Sequence, residues 1–216
     1  MGSVIGELVP LAVGVAISPI PIIGVIAMML GQHARTTSVG FVLGWLVGIV
    51  AATTIFLVVG GALDERSSSS GWVKLVLGVI LLLYGFRTWR SRDAESAQPR
   101  WMSAIDKMRA PAATGLGVAL AAVNPKNLVL CASAGVTIGS ASLAWGADAA
   151  LVAIFTVLAA TTVVVPVVAY QFAADHLRDP MDRLKVWLEA NNATVMGVLI
   201  LVMGAVLIGK GISGLG

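Results

Sequence analysis

The sequence predicts an all-α polytopic membrane protein: six transmembrane helices in a 3+3 inverted repeat, with helices 1 and 4 broken by proline. Three observations carry this. First, only 12% of the residues are charged and 58% are hydrophobic, with a mean hydropathy of +0.94, whereas a soluble domain carries about 25% charged residues. Second, the charges are clustered. They leave several apolar runs of about 18 residues or more, each long enough to cross roughly 30 Å of hydrocarbon. The runs are continuous rather than alternating with period two, which argues against a barrel. Third, each half of the chain opens on an apolar run interrupted by proline.

Span 1 covers about residues 4–30 and holds Pro10 and then Ser18-Pro19-Ile20-Pro21. Two prolines around one residue remove two donors and disfavour helix just before each. A break near Ser18 is expected, although a packed proline kink fits the same residues. The start lacks a basic region and carries Glu7, so it reads as a retained span and not as a signal peptide. A short polar connection with His33 and Arg35 follows. Span 2, residues 37–63, carries Gly40, Gly44 and Gly48 on one face, where another backbone can approach closely. Packing within the chain and homodimer formation both fit that pattern. Residues 64–71 form a polar turn, and span 3, residues 72–89, has a tryptophan at each end as an interfacial anchor.

Residues 90–110 form a basic linker between two three-helix repeats, residues 1–89 and 111–216. Within it, residues 100–109 read as a surface helix with Trp101, Ile105 and Met108 on one side. Span 4 covers residues 111–136 and contains Asn124-Pro125-Lys126-Asn127 slightly past its middle. Span 5 covers residues 147–173, with Thr161 and Thr162 ahead of Pro166. Those hydroxyls either cover carbonyls freed by the proline or line a pathway. Residues 175–192 are charged and mixed in sign, and read as a second interfacial helix before span 6, residues 193–212.

An even number of spans places both termini on one side. With them outside, the inner segments hold Arg35, the linker cations from Arg87 to Arg109, and Arg178, Arg183 and Lys185. The outer segments hold Arg66, Lys74 and Lys210. The positive-inside rule favours this orientation, in a bacterial plasma membrane. It also explains a pI near 9.4 without nucleic acid as a partner.

The halves resemble each other. Gly78 to Gly85 matches Gly197 to Gly204, and Gly14-Val15-Ala16-Ile17 before Pro19 matches Gly117-Val118-Ala119-Leu120 before Pro125. Three spans per half force opposite orientations, the pattern of secondary transporters that bind cargo at interrupted helices near the midplane. Lys126 is the costliest residue there: a lysine at the bilayer centre costs about 2.5–3.5 kcal/mol on insertion scales. It has no acidic partner deep in the membrane, since Glu7, Asp64 and Asp148 all lie near the outer edge in this topology. It therefore pairs with carbonyls, with Asn124 or Asn127, or with an anionic cargo. Snorkelling would need roughly 15 Å of helix rise, long for one side chain. The residues expected to bind substrate are Ser18, Pro19, Pro21, Asn124, Pro125, Lys126, Asn127, Thr161 and Thr162.

Ser18-Pro19-Ile20-Pro21, the ladder Gly40-Gly44-Gly48 and Asn124-Pro125-Lys126 together resemble the lysine exporter superfamily. Its amino-acid exporters carry Pro-Gly-Pro and Asn-Pro-Lys at the two breaks. Ile20 departs from that pattern. The long basic linker is more similar to the actinobacterial glycolipid-addressing branch, related to the sulfolipid-addressing protein of mycobacteria. The resemblance implies movement of a cell-envelope glycolipid or its precursor across the inner membrane.

Two alternatives stand beside it: an exporter of amino acids or small ions, and a membrane scaffold that assists a lipid export machine. No enzyme activity is expected, because the sequence has no paired carboxylates, Ser-His-Asp set or nucleotide-binding loop. No cofactor or metal is expected either. Cys131 reads as a small buried side chain.

Overall fold

The computed structural model describes residues 1–62, 69–90, 105 and 108–214. The regular elements among them are helices: α1 Gly2–Ala16, α2 Pro19–Leu30, α3 Ala34–Gly61, α4 Ser69–Arg90, α5 Ala110–Ala122, α6 Pro125–Gly139 and α7 Trp145–Ser213. Most of the turn at 64–71 and of the basic linker lies outside the described residues. So does most of the expected surface helix at 100–109. Of that segment, Ile105 is buried and Met108 packs against the core.

The two prolines after Ser18 act as a helix start. Pro19 opens α2, where its missing N–H has no intrahelical partner to lose. Ser18 is extended at φ −115°, ψ 102°, and α1 and α2 meet at a bend of 52°. Pro125 opens α6 in the same way, and the bend from α5 is 66°. Pro10, by contrast, stays inside α1.

α7 is continuous in its hydrogen bonding but not straight. Ala173 has non-helical angles, φ −138° and ψ 42°. It divides α7 into a proximal arm, Trp145–Ala174, and a distal arm, His176–Ser213. Sequence reasoning expected an interfacial helix at 175–192 separate from span 6. The structure corrects this: both belong to one 38-residue arm. Such a helix is about 57 Å long, well over the hydrocarbon thickness. Its charged first half runs into its apolar second half without a break in the backbone.

Among the described residues there are therefore four helices long and apolar enough to cross a membrane, or up to six if each bent pair is one span. Small residues set their packing. A Cβ on Gly40 would lie 2.8 Å from the Ala110 carbonyl oxygen. One on Gly44 would run into the Thr114 carbonyl, and one on Gly48 would reach Ala121 at 2.6 Å. The glycine face of α3 thus meets α5 of the same chain, so of the two sequence readings the intramolecular contact is present. Gly60 meets Val136 further along, so α3 runs parallel to α5 and α6.

α4 runs the other way against the distal arm: Gly71 faces Gly211 and Gly214, Gly78 faces Ile208, and Gly85 faces Ile200. At one end Lys74 pairs with the Glu7 carboxylate at 3.0 Å, and Lys210 donates to the Glu7 carbonyl at 2.8 Å. These contacts bring the start of α1, the start of α4 and the end of the distal arm together.

Candidate functional site

A broken helix leaves carbonyls without their usual partners four residues on. In α1 the Gly14 carbonyl would normally accept from the Ser18 amide, but that amide turns to Ala16 at 2.9 Å. The Ile17 carbonyl would accept from residue 21, which is Pro21 and has no N–H. Lys126 supplies both. Its Nζ donates to the Gly14 carbonyl at 2.6 Å and to the Ile17 carbonyl at 3.2 Å. Thr162, from the proximal arm, donates its hydroxyl to the Ala16 carbonyl at 2.6 Å.

The second break is met in a matching way. The Leu120 carbonyl would pair with the amide of Asn124, the residue before Pro125. It accepts instead from the Asn127 amide nitrogen at 3.1 Å. Asn124 caps α6, accepting from the Lys126 backbone N–H at 3.1 Å. Ser18 then donates to the Asn127 Oδ1 at 3.4 Å, joining the two breaks directly.

Lys126 and Asn127 are wholly buried and Ser18 is nearly so. A buried ammonium is costly unless its donors are met. Here two of its three donors are met by carbonyls at the C-terminal end of α1, where the helix dipole also favours a cation. Snorkelling does not occur. Of the expected partners, Lys126 takes carbonyls; its own neighbours Asn124 and Asn127 serve the second break.

The structure brings Ser18, Lys126, Asn127 and Thr162 together, and Pro19, Pro21, Asn124 and Pro125 shape the breaks around them. Thr161 is elsewhere. It is exposed and donates to Leu158 at 2.9 Å within its own helix. Sequence reasoning named none of the accepting carbonyls at Gly14, Ala16, Ile17 and Leu120. Ile17 was within reach of a simple rule, since it lies four residues before Pro21.

Among the described residues no group of three or more His, Cys, Asp or Glu side chains can hold a metal. What the arrangement can do is couple the two bent pairs through one internal cation.

The fold and the bridged breaks define a multi-pass helical membrane protein in which buried Ser18, Lys126 and Asn127 meet at two facing helix breaks. Over residues 8–213 the chain matches the family model SfLAP, described as Sap, sulfolipid-1-addressing protein, and it belongs to that family. No curated protein and no solved structure matches the chain.

Proposed function

We propose that this chain is an inner-membrane secondary transporter that moves a cell-envelope glycolipid or lipid precursor, working through its two bent helix pairs. The observation that carries the reading is the Lys126 bridge. A buried cation lent by one broken helix to the other holds the two breaks in one arrangement; on this reading its release permits a second. Membership in a sulfolipid-addressing family supplies the cargo class.

We read the fold as six spans in a 3+3 inverted repeat, residues 1–89 and 111–216 about the linker, with both termini outside. The packing directions support a crossing by the α5–α6 pair. α4 is antiparallel to the distal arm. If the α5–α6 pair were a re-entrant loop, only the proximal arm would cross between them, and the two would be parallel. The likeness of the two breaks to those of lysine exporters supports the same mechanism by analogy.

A second reading is favoured by one observation: both bonds of the Lys126 ammonium go to carbonyls of its own chain. On that reading the chain is a scaffold for a separate lipid machine, and Lys126 is structural. Reconstituted vesicles separate the two. Wild-type protein is expected to move a labelled glycolipid between leaflets, and Lys126→Met, checked for folding, to lose that movement. Full movement by the variant contradicts the assigned role of the bridge. No movement by either, with export restored only beside a partner machine, supports the scaffold.

A further inference from the structure

We infer that the junction of the α2–α3 turn, the start of α3 and the break in α7 is a binding site for an anionic lipid headgroup, with the lipid chain in the groove beside it. The inference rests on the transport reading and names the place where a charged amphiphile is first held. In this conformation Lys126 cannot hold it, being wholly buried and engaged by two carbonyls. A headgroup needs cations that it can reach.

Such cations line a cavity of about 390 Å³ between the turn at 31–33, the first turn of α3 and the break in α7. Gln32, His33, Arg35, Tyr170 and Arg178 face it, and among the described residues none of those lining it is acidic. Arg35 and Arg178 come from different helices and are both exposed. Among the described residues neither has an ion-pair partner. The first turn of α3 contains no acidic residue and its N-cap makes no side-chain bond, so the positive end of a 28-residue helix adds to the field. Membrane topology alone asks for cations at this end. It does not ask for two guanidiniums from distant segments around one cavity.

The second observation is the neighbouring groove. A cavity of about 500 Å³ shares Arg35 and Thr36 with the first and is otherwise lined largely by apolar groups, among them Val39, Leu43 and Pro111. Arg35 thus stands where a cationic cavity joins an apolar one. A free anion would use only the first. A lipid with an acidic head and a hydrocarbon chain uses both, and guanidinium is well suited to phosphate or sulfate oxygens.

The test measures binding, without any translocation, on the purified full chain in detergent. Short-chain phosphatidic acid is the probe, phosphatidylcholine of equal chain length the control, and inorganic phosphate the competitor. Phosphatidic acid is expected to bind in preference to phosphatidylcholine. The double variant Arg35→Gln/Arg178→Gln is expected to weaken its binding by roughly tenfold or more, as fits the loss of charge-assisted bonds. Lys185→Gln, which removes the same charge from a residue paired with Glu189, is expected to change it little. If the double variant does not fold, Arg178→Gln alone carries the test with a smaller expected loss. Unchanged binding in the Arg variants, an equal loss in Lys185→Gln, or full competition by inorganic phosphate overturns the site. A chain that fails to transport can still bind here, and one that transports through another site fails here, so the two results are separable.

Discussion

At the residue scale, everything turns on which donor meets which orphaned carbonyl. Lys126 meets two, so Lys126→Met is expected to destabilise the folded chain by about 1–3 kcal/mol for each carbonyl left unmet in a dry interior. Detergent unfolding curves measure this; an unchanged midpoint would mean that water or another donor takes over. Two adjacent threonines give a contrast. Thr162→Val removes the bond to Ala16 and is expected to cost about 1 kcal/mol. Thr161→Val, exposed and bonded only within its own turn, is expected to stay within about 0.5 kcal/mol of wild type. Equal effects of the two would contradict the assignment of Thr162 to the break. The anomaly of Lys126 was legible in the sequence because a lysine in an apolar run is expensive wherever it sits. Its acceptors were not, because Gly14 and Ile17 lie more than 100 positions away and only the approach of α1 to α6 reveals them.

At the element scale, the spacing of small residues decides how close two helices come. Gly44→Ala places a methyl against the Thr114 carbonyl, with backbone on both sides and nowhere to move. It is expected to destabilise the chain by about 1–3 kcal/mol, the usual range for overpacking. Gly209→Ala meets nothing within 4 Å and is expected to be neutral or to stabilise by up to about 1 kcal/mol through helix propensity. A tolerated Gly44→Ala would show that α3 and α5 can separate at little cost. The glycine ladder announced a close contact in sequence, but periodicity cannot name the partner. The same limit explains the distal arm. Charge marked residues 175–192 as lying outside the apolar layer. Charge reports environment and not continuity, so it gave no sign that one helix runs through both regions, nor that the break falls at Ala173.

At the scale of the whole molecule, the all-helical, membrane-crossing character and the two proline breaks were readable from apolar run length and from where proline stands. The reciprocity of the breaks was not, since it is a property of two segments brought together. Orientation is open to direct measurement. In a Cys131→Ser background, the buried native thiol being removed, His33→Cys is expected to react with an impermeant thiol reagent only in inside-out vesicles. Ser213→Cys is expected to react in intact cells. The reverse pattern would place both termini inside and contradict the charge argument.

The central claim is that the two breaks part during transport, and a reversible cross-link tests it most directly. Ser18 and Asn127 already touch across the breaks at 3.4 Å. In the same Cys131→Ser background, the pair Ser18→Cys and Asn127→Cys is reconstituted and glycolipid movement is measured before and after reduction. The account expects oxidised protein to be inactive and reduction to restore movement to the level of the never-oxidised double variant. Undiminished movement by the fully cross-linked protein would contradict it.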